Sequence, residues 1–324
     1  MLAATVAALL GIAPTACGGD PEPATVAVIV GLDAFGDVVA PLEAALVDAG
    51  VRGGVRVADI RLGLGPGRVA GPASIDRAVA EALALDPDVV VALTTPVVEA
   101  VLAADPDVAV VFGAVNDPVG VGLVDDLGAP GGRLTGVATS TGAASLDVLV
   151  RATGARRVGL VTVTGDPVAG SGADQVRGAV DATGASLVEL AVDDPGQLDL
   201  VAVRRLLAEV DALLLPPAPF VVQVIGTLAA EAVSAGVPFG LSLAALRPLE
   251  GVVVAVAPDT HGLAQQLARR VVAILEGVPA GTIAIDPVDL EVSVDLDAAA
   301  AVGVEVPDLV LVEADRVFGR TPAP

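Results

Sequence analysis

The only asparagine in the chain, Asn116, stands directly before Asp117 and Pro118 at the end of an apolar run. A carboxamide can both donate and accept hydrogen bonds, and a carboxylate can accept them from a ligand ammonium group. Ligands of open α/β sheets bind beyond the carboxyl ends of the strands, which is where the sequence predicts these residues to lie. Asn116 and Asp117 are therefore predicted to contact a small ligand, with a simple turn before Pro118 as the structural alternative.

Polar and aromatic side chains follow other predicted strands in both halves of the chain. Hydroxyls can bind the polar groups of a ligand, and phenylalanine is the main aromatic residue because the chain has no Trp or Tyr. The further candidates for ligand contact are Asp33, Phe35, Thr94, Thr95, Ser171, Phe220 and Ser242. Helix capping is the alternative role of Thr94 and Ser171. Phe112 and Phe239 are expected to point into the core.

Two of these candidate positions stand where helices are predicted to begin, at the Thr94–Thr95 turn and at the Gly165–Gly172 turn that contains Ser171. A helix N-terminus offers unpaired N–H groups and a partial positive charge, so each turn can bind a carboxylate or another anionic oxygen. With Asp33 and Asp117 as acceptors for an ammonium group, the set fits a zwitterion such as an amino acid. It fits a polyol equally well.

Residues for catalysis or metal binding are scarce. His261 is the single histidine and Cys17 the single cysteine, which excludes paired-cysteine catalysis, intrachain disulfides and clusters of His or Cys ligands. The Gly165–Gly172 turn is not a phosphate-binding loop, because the chain contains no lysine. We therefore expect no catalytic residue, no metal and no cofactor, and a protein that is not an enzyme.

Length, composition and charge limit the class of protein. The 324 residues, of which 54% are hydrophobic, suffice for about two domains with a core each. The net charge of −23 argues against binding to nucleic acid, because the phosphate backbone carries the same sign of charge. A small ligand is compatible with this charge, since one pocket can differ from the average surface. We expect a monomer.

Nearly continuous apolar runs alternate with segments of helical periodicity from Ala24 onward. Such runs are typical of strands buried on both faces, and their alternation with helices predicts parallel sheets covered by helices. The predicted strands are 25–31, 55–62, 89–93, 109–112, 157–163, 186–191, 212–215, 237–240 and 252–257. The predicted helices are 38–49, 75–85, 96–104, 144–153, 172–183, 197–210, 221–235 and 262–276. The pattern indicates two flavodoxin-like α/β lobes.

The chain is predicted to pass between these lobes several times. Residues 24–139 with about 258–285 are expected to form the N-terminal lobe, and residues 140–257 with about 286–324 the C-terminal lobe. Parallel sheets joined by several nearby segments make a multi-strand hinge, which favours rigid-body closure over independent motion of the lobes.

Residues 1–23 look like a bacterial lipoprotein signal and tether. The apolar run Met1–Ala13 is shorter than the about 20 residues that span a bilayer. Small residues lead from it to Cys17, and a turn-rich polar segment follows. We expect export and attachment of lipid to Cys17. The alternatives are an ordinary secretory signal with an incidental cysteine, or a loose N-terminal helix.

The segment Phe112–Val137, FGAVNDPVGVGLVDDLGAPGGRLTGV, resembles the signature of the ABC-transporter substrate-binding lipoproteins that include the binding components of tryptophan and tyrosine importers. In that family an apolar strand leads into a polar residue and then Asp-Pro-Val, Gly-Leu-Val, Pro-Gly-Gly and Thr-Gly-Val. Three further stretches, at 86–96, 156–163 and 292–317, are similar to family segments in the same order. The likeness covers most of residues 25–318.

This resemblance implies the type I periplasmic-binding fold and a lipoprotein anchored outside the bacterial cell membrane. Such a protein would capture a small solute, an amino acid or a similar molecule, and deliver it to an ABC permease and its ATPase. By this resemblance, the residues that shape the cleft would be Thr94, Thr95, Asn116, Asp117 and Ser171. The segments Pro217–Phe220 and Leu241–Ser242 are less polar than the family pattern. This difference indicates a more apolar ligand, with an apolar or aromatic body.

Three other functions are compatible with the sequence. The first is a ligand-sensing module of the same fold that is coupled to a signalling partner. The second is a two-lobed enzyme such as an amino-acid racemase, which the single His261 and the lack of a second cysteine disfavour. The third is a binding protein that has lost its ligand.

Overall fold

The computed structural model describes residues 22–62, 70–104, 107–243 and 250–319. Within these ranges the chain builds two β-sheets, each covered by helices on both faces. The α/β fold with two flavodoxin-like lobes is therefore confirmed, and a lobe below means one sheet with the helices that cover it. The predicted lipid attachment site, Cys17, lies outside the described residues.

Strands and helices alternate along most of the chain. The strands are β1 (Ala24–Val30), β2 (Val55–Arg61), β3 (Val89–Leu93), β4 (Ala109–Val115), β5 (Leu134–Ala138), β6 (Arg157–Val163), β7 (Ser186–Val192), β8 (Ala212–Leu215), β9 (Phe239–Leu241), β10 (Val254–Pro258), β11 (Asp286–Pro287), β12 (Leu290–Asp295) and β13 (Arg316–Phe318). The α-helices are α1 (Val39–Asp48), α2 (Pro72–Leu83), α3 (Thr95–Ala104), α4 (Gly142–Thr153), α5 (Pro167–Gly178), α6 (Val180–Thr183), α7 (Leu200–Leu207), α8 (Val221–Ala235), α9 (Thr260–Leu275), α10 (Leu296–Ala301) and α11 (Asp308–Glu313).

The first sheet has the strand order β11-β5-β4-β3-β1-β2, and every pairing in it is parallel. Alternate residues of β1 point to opposite faces. Ala27 and Ile29 pack in one core with α2 and α3, while Val26 and Val28 pack in another with α1 and α9. Because helices cover both faces, the inner strands β1, β3 and β4 are continuous apolar runs, whereas the edge strand β2 alternates apolar and charged residues.

The second sheet has the order β13-β12-β10-β9-β8-β6-β7, and its strands are parallel except for the antiparallel pair β10 and β12. Helices α7 and α8 cover one face, where Leu228 packs in the same core as Phe239. Helices α4 and α5 cover the other face through Leu149 and Val176. Phe239 here and Phe112 in the first lobe are fully buried, as expected.

Three segments connect the two sheets in the described part of the chain. They are 139–141 between β5 and α4, Asp259 between β10 and α9, and 288–289 between β11 and β12. Arg270 on α9 contacts β11, the strand before the last connection, because its Nη2 donates to the carboxylate of Asp286 at 2.9 Å. Burial lowers the pKa of Arg270, and the negative charge of Asp286 opposes that shift.

Two differences from the predicted elements change the site. The apolar run predicts an end of β4 at Phe112, but the strand continues to Val115 with a shift in its register against β5. Helix α5 begins at Pro167, earlier than predicted, because the carboxylate of Asp166 accepts hydrogen bonds from two N–H groups of the first turn. Asp166 is thus the N-terminal cap of α5. Ser171 lies inside the helix and does not cap it.

No helix within the described ranges is both long and apolar enough to cross a membrane. The described His, Cys, Asp and Glu side chains form no group of three or more that could hold a metal ion.

Candidate functional site

The carboxyl ends of strands from both sheets meet around one cleft between the lobes, as parallel sheets in this arrangement require. The cleft encloses about 640 Å³ of space between protein atoms, its open mouth to solvent included. Its lining consists of Leu32, Ala34, Phe35, Thr94, Thr95, Ala114, Asn116, Thr139, Thr141, Val168, Pro217, Ala218, Pro219, Ser242, Leu243 and Pro258. The predicted contact residues among them are Phe35, Thr94, Thr95, Asn116 and Ser242.

The turn before α3 is one polar edge of the cleft. Because α3 begins at Thr95, the N–H of this residue has no acceptor within the helix. Thr94 adopts a φ of +92°, a strained conformation for a β-branched residue, and Gly31 lies so close to its hydroxyl that a Cβ there would collide. Ala114, on the neighbouring strand β4, has a φ of +55°. Backbone strain at two lining residues is typical of a ligand site.

Asn116 is fixed in the cleft by its neighbours. It follows the register shift in β4 and is 8% exposed. Its Oδ1 accepts a hydrogen bond from the N–H of Thr141 at 3.1 Å, and its carbonyl oxygen accepts from the hydroxyl of Ser140 and from Nε2 of Gln175. Because a backbone donor engages Oδ1, the orientation of the carboxamide is determined. Its other end, Nδ2, is buried and has no hydrogen-bond partner.

Thr139 and Thr141 also line the cleft, and reasoning from the sequence missed both. They lie in the connection between β5 and α4, where the hydroxyl residues 139–141 directly after a strand were the available signal. Thr141 is 2% exposed, and its Oγ1 is buried without a partner. A buried polar atom that lacks a hydrogen bond costs about 1–3 kcal/mol. Two such atoms on residues that line one cleft make this lining the candidate ligand site.

Ser242 contributes a hydroxyl from the second lobe. Its Oγ donates to Oγ of Ser145 at 2.7 Å, and Oγ of Ser145 donates to the carbonyl oxygen of Thr141 at 2.9 Å. The three residues thus form a hydrogen-bonded row that starts in the cleft lining and ends in the connection between the lobes. Ser242 and Ser145 are both buried, so the row is shielded from bulk water.

The rest of the lining is mostly apolar. Phe35 stands on the first-lobe side, and Val168 with the segment Pro217–Pro219 stands on the second-lobe side. The carbonyl oxygen of Pro217 would lie 2.6 Å from a Cβ at Gly172, so α5 and this segment pack directly against each other. No side chain in the described lining carries a charge. The cleft therefore offers a few oriented polar atoms on an apolar surface.

Four predicted contact residues lie outside this lining. Asp33 is exposed, and Phe220 is 4% exposed because its ring packs in the core between α7, α8 and the second sheet. Asp117 and Ser171 bond to each other: Oγ of Ser171 donates to Oδ2 of Asp117 at 3.0 Å, while Oδ1 accepts from the N–H of Gly120 at 2.8 Å. These two residues, which belong to different lobes, thus connect the lobes across the cleft edge.

We expect that replacing Ser171 by alanine makes the ligand-free protein less compact. The change removes a hydrogen bond to a charged acceptor that joins the lobes, worth about 1 kcal/mol at a partly exposed position. Small-angle X-ray scattering should show a larger radius of gyration than in the unchanged chain. Ser234→Ala is the matched control, because this serine bonds only within α8, far from the cleft. An identical radius for all three proteins would show that this bond does not hold the lobes.

Solved structures with the same fold come from several bacteria. An ABC domain from Streptococcus pneumonia in complex with L-Trp is 20% identical, with a TM-score of 0.78 over 92% of this chain and 100% of that one. A conserved domain protein from Vibrio cholerae is 23% identical, with a TM-score of 0.78 over 91% and 100%. The ligand-free, open structure of CD0873, a substrate binding protein from Clostridium difficile, is 18% identical, with a TM-score of 0.70 over 93% and 100%. No curated protein matches the chain.

The fold and cleft agree with one family of proteins that bind solutes and do not transform them. A sequence model that describes ABC transporter substrate binding proteins matches residues 24–318, which is nearly the whole described chain. The chain belongs to the family of ABC transporter substrate-binding proteins.

Proposed function

We propose that the chain is the extracytoplasmic solute-binding component of an ABC importer, which captures an amino acid or a similar small molecule and delivers it to the permease and its ATPase. The observation that carries this proposal is the pair of buried, unpartnered atoms in the cleft, Asn116 Nδ2 and Thr141 Oγ1. A solute with an oxygen acceptor would pair with both. The apolar segment Pro217–Pro219 and the L-Trp bound to the Streptococcus pneumonia protein support a solute with an apolar or aromatic body.

Closure of the lobes on the solute is the mechanism that this cleft supports. A ligand favours the closed state only by the difference between its affinities for the closed and open states. A solute that touches Asn116 in the first lobe and Ser242 in the second gains both contacts only when the lobes are closed. The bond from Ser171 to Asp117 stabilises the same state, and the permease would recognise its shape.

We further propose that the chain is divided between two lobes, one on each side of this cleft. The N-terminal lobe would comprise residues 24–139 and about 258–285, and the C-terminal lobe residues 140–257 and about 286–324. The sheet membership of the strands supports this division except at its last boundary, because β11 (Asp286–Pro287) pairs with β5 in the first sheet. Lipid on Cys17 would anchor a monomer to the outside of the cell membrane, with residues 18–23 as the tether.

Ligand-induced stabilisation is the expected result that tests the proposal. Native mass spectrometry of protein purified without unfolding should reveal a retained small molecule, and adding that molecule should raise the melting temperature and lower the radius of gyration. Thr141→Val removes the unpartnered hydroxyl but keeps the N–H that donates to Asn116. This variant should melt no lower than the unchanged chain without ligand, yet show a smaller ligand-induced shift. If no amino acid or metabolite pool stabilises or compacts the protein, the binding function is wrong.

A further inference from the structure

The hydrogen-bonded row at Ser242 limits what this residue can do for a ligand. The carbonyl oxygen of Thr141 only accepts, so the single proton of the Ser145 hydroxyl lies between these two atoms, 2.9 Å apart. Ser145 Oγ can then only accept from Ser242 Oγ, at 2.7 Å. With its own proton used in this way, Ser242 presents only lone pairs to the cleft. It is an acceptor for a ligand O–H or N–H.

The opposite side of the cleft presents two donors, beside threonine hydroxyls that can donate or accept. Oδ1 of Asn116, a residue of the cleft lining, is occupied by the N–H of Thr141, and the NH₂ group at the other end of the carboxamide is buried without a partner. The N–H of Thr95 opens α3, a helix of ten residues whose N-terminus carries a partial positive charge. A carboxylate bound here would receive charge-assisted hydrogen bonds, which are stronger than those between neutral groups. The buried, unpartnered Nδ2 of Asn116, a residue that is 8% exposed, is the independent sign of a ligand at this end.

The described part of the cleft lining offers no counter-charge for an ammonium group. None of its described lining side chains is acidic. Three carboxylates directly adjoin lining residues in sequence. Asp117 is engaged at both oxygens, by the N–H of Gly120 and the hydroxyl of Ser171. Asp259 caps α9 with both of its oxygens, and Asp33 is exposed outside the lining. Burying a cation without an ion-pair partner is costly, whereas a neutral hydroxyl needs only one acceptor. Ser242 supplies that one acceptor.

We infer that the cleft binds 2-hydroxycarboxylates with an apolar side chain in preference to the matching amino acids. The carboxylate pairs with Asn116 Nδ2 and the N-terminus of α3, the 2-hydroxyl donates to Ser242 Oγ, and the side chain packs on Phe35 and Pro217–Pro219. The net charge of −23 does not oppose a monoanion strongly, because salt at 0.15 M screens charges beyond about 8 Å. This inference rests on the proposed binding function and narrows its solute class.

Two matched sets of acids test the preference in isothermal titration calorimetry at 0.15 M salt. One set is L-phenylalanine, L-3-phenyllactate and 3-phenylpropionate; the other is L-leucine, L-2-hydroxyisocaproate and 4-methylpentanoate. Within at least one set we expect the 2-hydroxy acid to bind at least tenfold more tightly than the amino acid. An amino acid that binds as tightly as its 2-hydroxy acid, or more tightly, overturns the inference and leaves the proposed function standing. If none of the six acids binds, the inference fails, whereas the proposed function fails only if no amino acid or metabolite pool stabilises or compacts the protein.

Ser242→Ala tests the assigned acceptor within the same experiment. In the unchanged chain the 2-hydroxy acid should bind about tenfold more tightly than the acid without a 2-substituent, and in Ser242→Ala this ratio should fall to near one. Because the ratio compares two ligands on one protein, a general loss of stability cannot produce that fall. Ser234→Ala should keep the full ratio. An unchanged ratio in Ser242→Ala means that the hydroxyl is not recognised at Ser242 and overturns the inference.

Discussion

Replacing Asn116 by aspartate is expected to weaken ligand binding by about 100-fold or more. The carboxylate keeps an oxygen for the N–H of Thr141, so the local fold is retained. The NH₂ donor, however, becomes an oxygen that carries lone pairs and negative charge and faces the oxygen acceptor of the ligand. A hydrogen bond to a charged group contributes about 1.5–3 kcal/mol, and repulsion between two oxygens adds to its loss. At 1.4 kcal/mol for each factor of ten, these effects together reach about two orders of magnitude.

The measurement is the dissociation constant of the molecule that native mass spectrometry identifies, together with the urea midpoint of the ligand-free protein. Ser140→Ala is the matched control, because this exposed hydroxyl also bonds to Asn116, at its carbonyl oxygen, but lies outside the cleft lining. It should change the dissociation constant by less than about threefold. Asn116→Ala should reduce the free energy of ligand binding by more than it lowers the free energy of unfolding. Full affinity in Asn116→Asp would remove Nδ2 from the list of ligand donors.

The sheets could be predicted from the sequence because burial on both faces leaves a strong pattern. The apolar runs give β3, β6 and β8 with their observed bounds, and the helix of 221–235 is equally well defined. The ends of these elements could be predicted because glycine, proline or a polar residue stands close to them. The parallel arrangement also predicts which strand ends meet, and this is why Asn116, Thr94 and Thr95 were placed at the cleft.

The remaining parts of the site depend on contacts between distant residues. Asp117 and Ser171 have the right chemistry for a ligand, but 54 positions separate them and only the fold shows that they bond to each other. Phe220 follows a strand as Phe35 does, yet its ring turns into the core at the start of α8. The hydroxyl residues 139–141 after β5 mark Thr141 only as polar, and its unpartnered state results from its position between two lobes. Sequence periodicity cannot predict such pairings.

Exchanging Gly136 for alanine is expected to lower the free energy of unfolding by about 3 kcal/mol, at the upper end of the cost of overpacking. Gly136 lies in β5 opposite Phe112, at the point where β4 shifts its register. A Cβ at this position would overlap the Phe112 ring and lie 2.5 Å from its backbone oxygen. The ring is fully buried and the oxygen belongs to the sheet, so neither can give way without moving β4.

The Gly136→Ala exchange should also disturb the ligand site, because the shifted part of β4 leads directly into Asn116. Displacing β4 should tilt the carboxamide away from Thr141, so Gly136→Ala should weaken ligand binding as well as stability. Gly226→Ala is the matched control: it lies within α8, no atom stands within 4 Å of its added Cβ, and alanine should stabilise the helix by about 0.5–1 kcal/mol. Urea denaturation and ligand titration of both variants provide the two readouts. If Gly136→Ala were as stable as the unchanged chain, the close approach of β4 and β5 would not be what sets the position of Asn116.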